Sequence, residues 1–185
     1  IDAEPDTIGG LYTRYVMILA AIGPIAMAIG LFLFGLNLWV VVVHPSPTYI
    51  LSNAITQYVL ALVGTFALAL IIDLLAPTFG GTSNRVQALK VAAYCYTPAW
   101  VAGILYIIPS LAMLVMLAGI YSLYLLYLGL PVLMKSSPDK KGVYLAAVIV
   151  AAIVLWIVIA AVGSAVTRAV APSVIPTAGS ISLPG

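Results

Sequence analysis

Long apolar runs broken by short polar stretches set the pattern of this chain. From Val91 to Met134 there is no Asp, Glu, Lys, Arg or His. As one helix that run would be about 66 Å long, about twice the thickness of a bilayer hydrocarbon core, so it must turn back. Pro109-Ser110 is the best break, because proline lacks an N–H and clashes with the preceding turn. Two spans result, Val91–Ile108 and Leu111–Met134, joined by a tight turn. Three more runs are apolar over the roughly 20 residues that cross a membrane: Tyr15–Leu36, Tyr58–Ala76 and Val143–Thr167. The pattern predicts an all-α integral membrane protein with five transmembrane helices. One membrane domain covers 1–167, and a flexible tail, 168–185, follows. Its APSVIPTAGSISLPG is rich in Pro, Gly and Ser and reads as extended and poorly ordered.

Composition supports lipid as the main solvent. Of 185 residues, 64% are hydrophobic and 6% charged, with mean hydropathy +1.23. A soluble domain is about 25% charged, and so few charges cannot cover a water-facing surface. Five spans put the termini on opposite sides. With the N-terminus in the cytoplasm, Arg14, Arg85, Lys90, Lys135, Lys140 and Lys141 all fall on that side and only Arg168 outside. The C-terminus is therefore expected outside. The outer loop 37–57 has no Lys or Arg, and its Trp39 and Tyr49 suit an interfacial belt. Its apolar start either extends the first helix or lies along the surface. A net charge of +2 is too small for a nucleic-acid footprint. The opening IDAEPDTIGGLYTR has no basic segment ahead of an apolar core, so no secretory signal is expected there.

Candidate chemistry is sparse. Asp73 is the one ionisable residue expected inside a span, near the cytoplasmic end of the second. It reads as an interfacial or Arg85-paired carboxylate, with a proton or cation site as the alternative. His44, in HPSP, has no Cys or carboxylate near it in sequence and reads as solvated or capping. Cys95 allows no internal disulfide or cysteine metal cluster, and in mid-helix it reads as a small packing residue. No GxSxG, HExxH, P-loop or GxGxxG motif occurs. Gly80-Gly81 reads as a turn supplying positive φ. No catalytic residue, metal or cofactor is expected, and the chain is not expected to be an enzyme.

Tyrosine and proline are the unusual elements. In AYCYTPAW, Pro98 removes an N–H in mid-helix and frees the carbonyl near Tyr94, beside Tyr94, Tyr96 and Thr97. YSLYLLY sets Tyr121, Tyr124 and Tyr127 on one helix face, with hydroxyls that want partners in hydrocarbon. Tyr94, Thr97, Pro98, Tyr121, Tyr124 and Tyr127 are thus a candidate polar cluster. Either it is a packed kink, or it lines a substrate cavity. Small residues in the first span (Gly23, Ala26, Gly30) and the fifth (Ala147, Ala151, Gly163) allow close helix contact within the chain or with a partner. Lys135, Lys140 and Lys141 either set topology alone or also touch anionic headgroups, at about 1 kcal/mol each.

The order FGGTSNRVQALKVAAYCYTPAW, YIIPSL, then LYLLYLGLPVLMKSSPDKKGVYLAAVIVAAIV resembles the Yip domain family, named for Ypt/Rab-interacting proteins. The likeness extends from the GGLY and AAIGP stretches near the start to the fifth span, and is greatest to the bacterial branch. It implies five spans, a cytoplasmic N-terminus and no catalytic residues. Eukaryotic members are associated with trafficking, Rab GTPases and membrane shaping, a partner class a bacterial chain lacks. The expectation is a non-catalytic protein of the bacterial cytoplasmic (inner) membrane. It would act as an organising factor or accessory subunit through contacts with lipids, other membrane subunits or its own copies, with no nucleic-acid partner. The alternative is a small transporter or channel with a midplane site at the Pro98 kink.

Overall fold

The structure is a computed structural model that describes residues 7–37, 42–135 and 138–170, nearly all of them helical. Five helices are long and apolar enough to cross a membrane. They are α1 (Ile8–Phe34), α2 (Pro47–Leu75), α3 (Arg85–Ala102), α4 (Ala112–Met134) and α5 (Lys141–Val170).

Three helices start well before their apolar runs, because capping side chains set their first turns. Thr7 Oγ1 accepts from the Gly10 N–H at 3.1 Å, and Ser46 Oγ from the Tyr49 N–H at 3.3 Å. Asn84 Oδ1 accepts from the Val86 and Gln87 N–H groups at 3.1 and 3.2 Å. These bonds satisfy donors that a first turn leaves unpaired. Pro47, next to its cap, loses nothing because its missing N–H would be unpaired anyway. So α2 begins at Pro47, about three turns before the expected Tyr58. HPSP is the lead into that helix, and His44 is exposed there.

Tyr12–Val16 form a π-helical turn within α1, an insertion that rotates the residues after it. The helix stops at Gly35, whose φ of 68° suits glycine and whose N–H bonds the Leu31 carbonyl at 3.0 Å. The chain does not continue helical from there. Short strands β1 (Leu36–Asn37) and β2 (Val42–Val43) pair antiparallel, Leu36 with Val43 and Asn37 with Val42. Trp39 and the tail from 171 onward lie outside the described residues, whereas 168–170 complete α5.

The break at Pro109-Ser110 is present. Helix α3 passes through a 3₁₀ segment, Gly103–Ile107, an extended Ile108 and a 3₁₀ turn, Pro109–Leu111, before α4 begins. Here α1 crosses the 3₁₀ segment with almost nothing between the backbones. A Cβ on Gly103 would sit 2.9 Å from Gly23 Cα, and one on Gly30 would sit 2.5 Å from the Tyr106 carbonyl oxygen. Glycine is what permits this approach.

The most continuous packing lies at the other end of the bundle. Leu11 of α1, Ile72 of α2, Leu89 and Ala92 of α3, Leu130 of α4 and Tyr144 of α5 are buried in one cluster. The Gly80-Gly81 turn ties this end together. Gly80 has φ 75°, in the left-handed region. Gly81 serves a different need: its N–H bonds the Ala76 carbonyl at 2.8 Å, and a Cβ there would meet the Met134 carbonyl oxygen at 2.8 Å. Next to it the Thr82 N–H bonds the same Met134 carbonyl at 2.9 Å. One turn thereby satisfies the C-terminal carbonyls of both α2 and α4. Arg85, Lys135 and Lys140 are exposed around it, so we call this the basic end. Arg168 is at the far end of α5.

Candidate functional site

Two residues that can carry charge at neutral pH, Asp73 and Lys90, are enclosed at the basic end. Asp73, in the last turn of α2, is buried and accepts a hydrogen bond from Ser83 Oγ at 2.8 Å. Arg85 Nε lies 3.9 Å from its other oxygen, with the Arg85 side chain 75% exposed. This geometry is a latch between helix end and loop. An ion pair so exposed on one side is worth about 0–1 kcal/mol. The second enclosed residue is Lys90, expected in a loop but fully buried in α3. Sequence reasoning missed it. The available signal was the run of apolar and small neighbours on every side in ALKVAA, the mark of a helix covered all round. Tyr144 completes the latch. Its hydroxyl donates to the Ile72 carbonyl at 2.7 Å, and its ring stacks on Phe79 at 5.2 Å. Lys135, at the C-cap of α4, has the left-handed φ of 50°, and Lys140 is exposed in the following 3₁₀ turn, ahead of Lys141.

The Pro98 kink takes a hydroxyl from a helix other than the one that carries the tyrosine stripe. Helix α3 continues through Pro98. Thr97 Oγ1 donates to the Ala93 carbonyl at 2.9 Å, which spends its only proton. Tyr15 of α1 must therefore donate to Thr97 Oγ1, 2.8 Å away, and its ring packs edge-on against Tyr94 at 5.3 Å. A hydroxyl thus reaches the kink from α1, while Tyr94 also lies beside Leu125 and Leu128 of α4. Tyr121 and Tyr124 are 52% and 54% exposed on the outer face of α4, their rings 6.0 Å apart, and Tyr127 is exposed beside them. The reason is the opposite face: Leu126, Leu130 and Leu133 turn inward, so residues on the stripe must turn outward. Two further tyrosine hydroxyls bridge helices. Tyr12 donates to the Leu62 carbonyl at 2.6 Å and Tyr58 to the Met17 carbonyl at 3.1 Å.

A family model, the Yip1 domain, matches residues 1–160. The chain belongs to the Yip1 domain family. No curated protein and no solved structure matches it. The matched region of this Yip1 domain takes in the capped Gly-Gly turn, the kink, the α3–α4 hairpin and the first two-thirds of α5.

The same Yip1 domain holds a cavity of about 340 Å³ on another flank of α3 from Thr97. Tyr96 and Trp100 of α3, Leu60 and Gly64 of α2, Met27 of α1 and Ile159 of α5 are among its lining residues. Tyr94, Thr97, Pro98 and the tyrosine stripe are not. Among the described residues no three His, Cys, Asp or Glu gather as metal ligands. Cys95 is buried in the core cluster.

Proposed function

We propose that this Yip1-domain chain is a non-catalytic organising or accessory subunit of a membrane assembly. It acts through helix–helix and lipid contacts, with its basic end in the cytoplasm of a bacterial cell. The observation that carries the reading is the outward face of α4. Tyr121 and Tyr124 lie along the middle of a 23-residue helix, and neither hydroxyl has a hydrogen bond among the described residues. At that depth lipid offers a hydroxyl no partner, whereas a neighbouring helix with a free carbonyl or hydroxyl does. Helix α5 supports the same reading. Only 6% of its most apolar stretch is buried by its own chain, against 44% for α3, and small Ala160, Ala161 and Ser164 are exposed on it. The basic end facing the cytoplasm rests on the Lys and Arg bias.

The test is photocrosslinking from a benzophenone at position 124, followed by purification in mild detergent. A discrete protein adduct, to another subunit or a second copy, is the expected result. Lipid adducts alone, with the chain always migrating by itself, would contradict the reading. A second reading, a small transporter or channel, draws on the cavity beside α3. Solute flux into vesicles containing the purified chain, lost on Trp100→Ala, would support it, and absence of flux across a broad solute panel would remove it.

A further inference from the structure

Between α2 and α5, away from the basic end, runs a groove of about 330 Å³ lined by Asn53, Gln57, Gly163, Ser164 and Thr167. Gln57, Trp156 and Ile159 line both this groove and the cavity, so the two spaces adjoin. Their chemistry differs. The groove offers the Asn53 and Gln57 amides and the Thr167 hydroxyl, whereas Ser164 Oγ already donates to the Ala161 carbonyl at 2.9 Å. The cavity walls are mainly apolar or aromatic, and its Thr65 hydroxyl is already bonded to the Ala61 carbonyl at 2.8 Å. No Asp, Glu, Lys, Arg or His lines either space.

Depth gives the arrangement a direction. Measured along α2 from Asp73, Thr65 lies about 12 Å up, Gln57 about 24 Å and Asn53 about 30 Å. The cavity therefore sits near mid-membrane. The groove climbs to the interface opposite the basic end, at about the thickness of a hydrocarbon core.

We propose that this passage holds a neutral amphiphile of the glyceride class. Its uncharged, hydroxyl-bearing head lies among Asn53, Gln57 and Thr167, and one acyl chain enters the cavity. A charged head would find no counter-charge and would lose its hydration there. A fully apolar ligand would leave the groove's amides without partners. Each space is at the small end of the range for ligand sites, about 300–1,000 Å³, which suits one chain rather than two. The proposal needs membrane insertion but not the accessory role, so either can fail without the other.

Trp100 and Trp156 line the cavity and make the test direct. The full chain, with Trp39→Phe, is placed in phosphatidylcholine nanodiscs and titrated with monoacylglycerol carrying a dibrominated chain. The expected result is saturable tryptophan quenching well above that from equally brominated phosphatidylcholine. Ala61→Phe, which narrows the cavity, should abolish the excess. Gln57→Leu should weaken apparent affinity about five- to tenfold, the worth of one hydrogen bond. Because Gln57 is at the exposed rim, this second variant keeps the test valid if Ala61→Phe fails to fold. Quenching that is linear, equal for both lipids and unchanged by Gln57→Leu would mean bulk lipid contact only and overturn the proposal. Stronger quenching by a brominated fatty-acid carboxylate would overturn the neutral head.

Discussion

The two ends of this bundle use polar groups in opposite ways. At the basic end, Asp73, Ser83 and Tyr144 have partners within the chain, and Asp73 and Tyr144 are buried. At the far end, Asn53, Gln57, Ser164 and Thr167 line an open groove. Inside a membrane the hydrophobic effect does not drive helices together, so a bundle needs close packing and satisfied hydrogen bonds. The basic end is built from both. A single turn joins α2 to α4, one tyrosine joins α5 to α2, and glycine lets the loop lie on a helix carbonyl. At the far end Ser164 Oγ donates to the Ala161 carbonyl at 2.9 Å, while the Asn53 and Gln57 amides and the Thr167 hydroxyl face the groove. A small membrane protein can thus fix its helices at one end with hydrogen bonds it supplies itself.

Three substitutions press on that contrast. The largest effect is expected from Tyr144→Ala. It removes a fully buried ring and the hydroxyl on the Ile72 carbonyl, which should cost about 3–5 kcal/mol. A denaturation midpoint in detergent that barely moved would show the basic end to be no tighter than the rest. Gly30→Ala sharpens the comparison from the other side. The crossing of α1 over the 3₁₀ segment lies toward the far end, yet it is tight, and the new methyl would meet a backbone carbonyl at 2.5 Å. The expected loss is about 1–3 kcal/mol. A neutral outcome would mean that the hairpin shifts freely. The smallest expected effect, loss of an exposed tyrosine hydroxyl on α4, belongs to the closing experiment.

Much of the fold was legible in the sequence. A charge-free run too long for one crossing, with Pro109-Ser110 inside it, required a hairpin, and the hairpin is there. Helix starts were less legible from hydropathy, because Ser46-Pro47 and Asn84 act through capping bonds that a hydropathy window cannot register. The tyrosine stripe shows a further limit. A spacing of three puts residues on one helix face but does not say which way that face turns, and only the Leu126, Leu130, Leu133 face decides it. Lys90 was read by its charge as a loop residue, although its neighbours mark a covered helix. The cavity could not be seen at all. It depends on where residues from five helices fail to meet, and no single segment carries that information.

The contrast between enclosed and outward polar groups can be tested by removing the same atom twice. Tyr144→Phe and Tyr124→Phe each delete one phenolic oxygen, the first at a buried bond of 2.7 Å and the second on an exposed ring. Thermal unfolding of the purified chain in mild detergent should show Tyr144→Phe losing about 1 kcal/mol, or about 2–4 °C in midpoint. Tyr124→Phe should match the parent chain. Equal losses in both variants, or a loss confined to Tyr124→Phe, would contradict the account.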